Sequence, residues 1–338
     1  MDAPINVWDY ERLAHERLEG NALAYFAGGS GDEVTLRDNL AAFERRKLRP
    51  RVLVDVQHVS TETTVLGTTV ASPILIAPLA MQRLAHPDGE LATARAAAAA
   101  RTIMCLSTAA TARPAEAAAA APGAPRWFQV YVFGDRALTE SLIDEATGNG
   151  YSALVLTVDT PYLGRRERDI RVDFKIPETL TLAGNIFGHS FDATLNWRDL
   201  EWLAGYGLPV VVKGILTAED AALACEHGAA AVVVSNHGGR QLDGVQATLD
   251  ALPGVVDAVA GRAEVLLDGG VRRGTDALKA LALGARAVLI GRPMLWALAV
   301  GGEEGVTHVL ELLRAEVELG LALLGCSSPP DVVRAHAT

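Results

Sequence analysis

The stretch VLLDGGVRRGTDALKALALGARAVLIGRP, residues 265–293, decides the reading of this chain. It opens on a short apolar run, 265–267, and closes on another, 287–290. Between them lies a segment dominated by alanine and leucine that stops at Gly284. Alanine and leucine are strong helix formers, and glycine suits the left-handed end of a helix. The stretch therefore spells strand, turn, helix, glycine stop, strand, which is one βα unit and the start of the next. Each strand runs into glycine and arginine: Asp268-Gly269-Gly270-Val271-Arg272 after the first, Gly291-Arg292-Pro293 after the second. Glycine lets a backbone approach a ligand closely and arginine supplies positive charge, so both turns suit a phosphate.

The same unit recurs upstream. Short, almost continuously apolar runs lie at 74–77, 103–106, 127–132, 153–158, 210–212 and 231–234. Strands of this kind are buried on both faces, as in parallel sheets. Gly150, Gly228 and Gly284 each precede such a run, and seven residues later come Thr157, Ser235 and Gly291. Eight strands at intervals of mostly 20 to 35 residues predict an α/β fold closed into a (β/α)8 barrel. The interval from 158 to 210 is about twice the usual one. Its segment 171–196 contains Pro177, Gly184 and Gly188 and is expected to form a lid loop after the fourth strand. Residues 1–70 precede the barrel and form a cap segment, with a helix expected over 7–26 carrying Trp8, Leu13 and Leu18. A last helix is expected over 303–325, and the whole of 1–338 reads as one domain.

Composition bounds the function. The 338 residues are 50% hydrophobic and 21% charged, which is ordinary for a globular protein and excludes disorder. A net charge of −11 argues against a general nucleic-acid binder. No apolar run has the length of a membrane span, and the charged N-terminal segment has no apolar signal core. The C-terminal RAHAT carries no peroxisomal or prenylation signal. Cys105, Cys225 and Cys326 are far apart and form no CxxC pair, so a reducing, cytoplasmic compartment is expected. No metal-ligand spacing is present. The run Gly28-Gly29-Ser30-Gly31 lacks the strand before it and the lysine after it that a phosphate-binding P-loop needs. No GxGxxG follows the first strand, which disfavours a nicotinamide-binding domain.

Polar residues gather at the strand ends: Pro78-Leu79-Ala80, Ser107-Thr108, Gln129 and Tyr131, Thr157 and Asp159 leading to Arg165-Arg166, Lys213, and Ser235-Asn236-His237-Gly238-Gly239-Arg240. In a barrel these ends meet at one mouth, where such enzymes place their chemistry. The loops after the last two strands, with Asp268, Gly269, Gly270, Arg272, Gly291 and Arg292, are the usual phosphate position. Two glycines follow His237, Arg240 lies three residues on, and Asp159 is within reach from the fourth strand. A carboxylate partner would orient the imidazole and favour its protonated form, giving a general base beside an anion-binding guanidinium.

SNHGGRQLD at 235–243, LDGGVRRGTD at 267–276, ALGARAVLIGRP at 282–293, LTVDTPYLGRRERD at 156–169 and IAPLAMQRLAHPDGE at 76–90 resemble the FMN-dependent 2-hydroxy acid oxidases and dehydrogenases. That family includes glycolate, lactate and hydroxymandelate oxidases and mandelate dehydrogenase. The resemblance runs from about Tyr10 to Cys326 and implies a TIM barrel holding FMN in its mouth. It implies that Pro78, Leu79 and Ala80 line the flavin, that Ser107, Gln129, Thr157 and Ser235 contact it, and that Lys213 lies by its N1 and O2. Asp268, Gly269, Gly270, Arg272, Gly291 and Arg292 would hold the ribityl chain and phosphate. The substrate carboxylate would lie between Arg166 and Arg240, with Tyr25 and Tyr131 beside it, while His237 takes a proton and Asp159 stabilises the imidazolium. Glycolate oxidases carry a bulky aromatic where this chain has Ala109, which implies a roomier pocket here. The lid is shorter than in many members. The implied reaction is oxidation of an L-2-hydroxy acid to a 2-oxo acid, with oxygen as acceptor and hydrogen peroxide as product, by a homo-oligomer, a tetramer or octamer. Transfer to a quinone or protein acceptor, oxidative decarboxylation, and a non-redox lyase or isomerase on a phosphate ligand are the alternatives.

Overall fold

All eight apolar runs become strands, and they close on one another in sequence order. A computed structural model describes residues 3–183, 186 and 188–338. A hairpin, β1 (Thr63–Val65) and β2 (Thr68–Val70), precedes the barrel strands β3 (Ile74–Ile76), β4 (Met104–Ser107), β5 (Arg126–Val130) and β6 (Leu154–Thr157). They continue with β7 (Val210–Ile215), β8 (Ala231–Val234), β9 (Glu264–Asp268) and β10 (Ala287–Ile290). Every barrel pair is parallel, and β10 returns to β3 to close a TIM barrel.

The continuous apolar runs divide by alternation. Leu75, Cys105, Trp127, Val155, Val211, Val233 and Leu266 pack together inside the barrel. Their neighbours Ile76, Leu106, Phe128, Leu156, Val212, Val234 and Leu267 pack outward in the cluster shared with the helices. Period-two geometry thus turns one run into two cores. Val65 and Val70 of the hairpin join the interior cluster, an element the sequence did not announce.

The sequence predicts one helix over 7–26; in the structure there are two. Asn6 caps the first, Val7–Arg17, by accepting from the Asp9 amide. Leu18 and Glu19 are extended, and the second helix, Gly20–Ala27, brings Tyr25 to the mouth. A third helix, Val34–Arg45, buries Thr35, Asn39, Ala42 and Phe43, which share one face at helical spacing. The final helix spans Arg292–Leu324 and is interrupted by non-helical backbone at Gly301 and Gly302, so its second half starts where the sequence places it.

The segment 171–196 begins just after a short helix, Glu167–Arg171, and returns beside β5. There Gly134 donates to the Ser190 carbonyl at 3.0 Å and Asp192 to the Val132 carbonyl at 2.8 Å. Gly184, named in the lid expectation, lies outside the described residues, as do Asn185 and Phe187. Among the described residues no helix is long and apolar enough to cross a membrane.

Candidate active site

Strand alternation carries the interior positions straight into the mouth. Two residues beyond Cys105, Trp127, Val155, Val211, Val233 and Leu266 stand Ser107, Gln129, Thr157, Lys213, Ser235 and Asp268. The residues that fill the barrel are therefore followed, on the same face, by the residues that line its mouth. A cavity of about 510 Å³ opens there, within the range of small-molecule sites. Of the residues to which the sequence gives a catalytic, substrate or cofactor role, all but Asp159 and Ser235 form its walls. Asp159 stands behind His237. Ser235 is fully buried behind Lys213, its Oγ accepting from Lys213 Nζ and from the His237 amide, each at 3.1 Å.

His237 has a left-handed backbone, φ 58°, followed by Gly238 and Gly239 in the same region. A side chain at Gly239 would run into the Leu36 backbone of the third helix at 2.6 Å, so only glycine lets the cap close on this loop. His237 Nδ1 and Asp159 Oδ1 are 2.9 Å apart, and the other ring nitrogen, Nε2, is 3.4 Å from the Tyr131 hydroxyl. Burial lowers the imidazole's pKa, Asp159 raises it by charge and hydrogen bond, and Lys213 and Arg166 lower it; the net shift is downward. The sequence leads one to expect a His237 biased towards its charged form; the structure gives a ring biased towards neutrality, because desolvation and the two neighbouring cations together outweigh the single carboxylate. For Asp159 burial acts upward, but His237 and Lys213 hold its carboxyl at about 2. Burial also pushes the Tyr131 phenol up to about 12.

Arg166, Arg240, Arg272 and Arg292 collect around the cavity, and among the described residues Arg272 alone of these four makes an ion pair. Burial and the neighbouring Arg166 bring Arg240 down to about 10, and burial with Arg240 and Arg272 brings Arg292 to about 9. Among the described residues neither Arg240 nor Arg292 makes an ion pair. Arg292 donates instead to the carbonyls of Phe26, Gly238 and Gly28, each at 2.9 Å, and Arg240 donates to those of Tyr25 and Gly28. The glycine run 28–31 thus turns a carbonyl towards both guanidiniums. Arg272 has a carboxylate, Glu11 at 3.5 Å, and lies over the Trp8 ring at 5.6 Å, both from the first helix. Arg166 Nε is buried and has no partner within the protein.

These features suit an anionic group with a polar ring system. Gln129 Nε2, Thr157 Oγ1 and Asp268 Oδ1 are buried and unpartnered at the cavity wall. Buried polar groups are ordinarily hydrogen-bonded, so an unpaired donor and acceptors facing one cavity indicate a ligand. Gly269 and Gly270 both have φ 87°, and a side chain at Gly270 would lie 2.2 Å from the Asn39 carbonyl. The long helix begins at Gly291–Arg292 with no side-chain cap, leaving amides for an anion. Lys213, where burial acts downward, is nonetheless raised by Asp268, whose Oδ2 is 3.5 Å away, and by Asp159; it remains a buried cation. FMN would fit this donor set: the glycine–arginine turns could hold its phosphate, and Gln129, Thr157 and Lys213 could meet the polar edge of its ring.

The sequence missed the lid's contribution. Phe174 stacks on Tyr25, centroids 4.9 Å apart and planes at 16°, and Phe191 leans on Tyr131 at 4.8 Å. Ile170, Ile176 and Leu182 add apolar surface to the cavity, and the Ala183 amide donates to the Ala110 carbonyl at 2.8 Å beside Ala109. Ala109 borders the cavity, and its carbonyl accepts from the Met81 amide at 3.1 Å.

A parallel barrel whose mouth joins a phosphate cradle to a histidine–aspartate pair among arginines is a cofactor-dependent barrel enzyme. Comparison specifies the class: the chain belongs to the FMN-dependent dehydrogenase family, matched over residues 14–338. It is 52% identical to an L-lactate oxidase of Nostoc sp., over 98% of this chain and 97% of that protein. It is 51% identical to glycolate oxidase 1 of Oryza sativa subsp. indica, over 98% and 95%. The crystal structure of a mandelate oxidase superposes with a TM-score of 0.94 at 44% identity, covering 98% of this chain and 97% of that one.

Proposed function

We propose that this protein is an FMN-dependent (S)-2-hydroxy-acid oxidase that converts its substrate to the 2-oxo acid and passes the electrons to oxygen, giving hydrogen peroxide. The observation that carries it is a half-buried, neutral-leaning His237, oriented by Asp159 and set beside Tyr131 in a mouth holding Arg166 and Arg240. Two guanidiniums grip a carboxylate in the geometry that a 2-hydroxy acid presents. His237 then accepts the hydroxyl proton at Nε2 while Nδ1–H donates to Asp159, and the carboxylate stabilises the imidazolium. Tyr131, held protonated by burial, donates a hydrogen bond at the same oxygen. The C2–H bond breaks as the hydroxyl proton leaves, so the substrate gives up two electrons and two protons in all; FMN, when bound, would supply the two-electron acceptor for them, and dioxygen would take two electrons and two protons to become hydrogen peroxide. The lid aromatics and Ala109 exclude water and leave room for an apolar C2 substituent.

An assembly of like chains in a cytoplasmic setting belongs to the same reading. Exposed Leu319 and Leu323 on the last helix, near exposed Val52 and Leu53, support it, and light scattering of the purified protein reports the mass. The reaction itself is tested by oxygen consumption with (S)-lactate, glycolate and (S)-mandelate. One peroxide and one 2-oxo acid per oxygen are expected. Turnover only with an artificial acceptor would instead indicate a dehydrogenase, and a shortened acid would indicate decarboxylation.

A further inference from the structure

Asn39 lies in the cap, on the helix Val34–Arg45, yet its side chain is 2% exposed. It faces Asn236, the residue before His237, which is as deeply buried. The two amides pair reciprocally: Asn39 Nδ2 donates to Asn236 Oδ1 and Asn236 Nδ2 to Asn39 Oδ1, both at 2.8 Å. Each amide is used further. Asn236 Oδ1 also accepts from the Gly239 amide at 3.1 Å, closing the turn around His237. Asn39 Oδ1 also accepts from the Thr248 amide at 3.3 Å, and Asn236 Nδ2 reaches the Gln246 carbonyl at 3.3 Å.

That pair stands where the backbone is most strained. Three successive residues, 237–239, are left-handed, and the first is not glycine. Such a conformation costs on the order of 1 kcal/mol or more and persists only where surrounding contacts impose it. Local contacts account for one end, through Ser235 Oγ and the His237 amide. The Asn39–Asn236 pair supplies the other, and it comes from a helix about 200 residues away in sequence. Removing Asn39 would strip one of two partners from each Asn236 amide group and take the side-chain acceptor from the Thr248 amide, and the loop would then relax to recover those bonds.

We infer that Asn39 is a positioning residue: through its reciprocal amide pair with Asn236 it holds the strained 236–239 turn so that His237 meets the substrate hydroxyl. The inference rests on His237 as proton acceptor. Asn39 packs behind Gly269 and Gly270 of the cavity wall but does not itself line the cavity, and its side chain bonds Asn236 rather than His237, so its loss should act on the geometry of proton transfer more than on the arginine grip.

The experiment compares Asn39→Ala and Asn39→Leu with the parent holoenzyme by anaerobic stopped-flow flavin reduction. The expected result is a limiting reduction rate lowered by about 10- to 100-fold, as for a base displaced by a fraction of an ångström to 1 Å. The apparent substrate Kd should change by less than about 3-fold, the split that a general loosening of the mouth would not give. His237→Ala is run alongside. If it keeps its rate, the role of His237 fails; if it loses its rate while the Asn39 variants keep theirs, the positioning inference alone fails. An equal loss in rate and affinity overturns it, and so does loss of flavin by both variants, which would place Asn39 in the cofactor site. If Asn39→Leu does not fold, Asn39→Ala decides, since a water can occupy the vacated space.

Discussion

Replacing Asp159 by asparagine keeps the shape behind His237 and removes the charge. The isostere is chosen because packing is close here: even a Cβ at Gly214 would lie 2.8 Å from the Asp159 Cβ. Asp159 Oδ1 meets His237 Nδ1 and Thr160 Oγ1, each at 2.9 Å. Its carboxyl is held at about 2, against an ordinary 3.8, although burial pulls the other way. That depression is worth about 2 kcal/mol of favourable interaction with the charges around it, His237 foremost. Without the carboxylate an imidazolium at His237 would face Lys213 and Arg166 uncompensated. A loss of about 2 kcal/mol where the proton is taken corresponds to a rate lowered roughly 10- to 100-fold. The pH dependence carries a sign. In the proposed role of His237 as the neutral base, a pKa below 6.5 means that the rate should be level above that pH and fall on the acid side. Asp159 raises the pKa of His237, so Asp159→Asn should move the acid limb to lower pH while slowing the plateau. The assay is anaerobic reduction of the flavin, followed near ~450 nm, from acid to neutral pH. A plateau within about 2-fold of the parent, or an acid limb displaced upwards, would refute the reasoning.

Arg240→Lys keeps the charge but loses the planar fork and the stack over Tyr25, whose ring lies 4.8 Å away; substrate Kd and reduction rate should each worsen by about 10-fold in anaerobic titrations. Ala109→Trp should lower the ratio of kcat/KM for mandelate over glycolate by 10-fold or more, on the order of 1–3 kcal/mol, since the ring would occupy space beside the substrate's C2. Arg272→Met should leave the fold intact and weaken flavin retention, measured by equilibrium dialysis, because it removes one of the buried cations of the anion cradle.

Much of this was legible because a barrel repeats one simple sentence. The eight apolar runs need no tertiary information: each is buried on both faces, and the glycines that stop the helices mark where the next strand begins. The mouth followed, since polar residues at strand ends can only converge there. What escaped the sequence depends on contacts between distant segments. The hairpin β1–β2 has strands of three residues around Leu66-Gly67, too short for a periodic signal. Glu90, in an alanine-rich helix, looks like a solvent-facing charge but is fully buried, accepting from the amides of Gln82 and Thr111 and tying the two loops beside Ala109. Asn39 likewise looks like one polar residue among several in an amphipathic helix. Phe174 and Phe191 sit in a stretch without periodicity, so only the fold shows that they cover Tyr25 and Tyr131. The preference of His237 for neutrality was missed for a related reason: burial is a property of the assembled mouth, whereas a carboxylate within reach can be named from a list of residues.

Every proposed step depends on a protein-bound flavin that a 2-hydroxy acid reduces with His237 as base. Its most direct test is anaerobic mixing of the yellow holoenzyme with (S)-lactate and (S)-mandelate, beside His237→Ala. The parent should bleach in a single turnover and release the 2-oxo acid. His237→Ala should retain its flavin and still bind the substrate carboxylate, with bleaching slowed on the order of 10²- to 10⁴-fold. Bleaching of His237→Ala at the parent's rate, or a parent that stays yellow with every 2-hydroxy acid, would contradict the account.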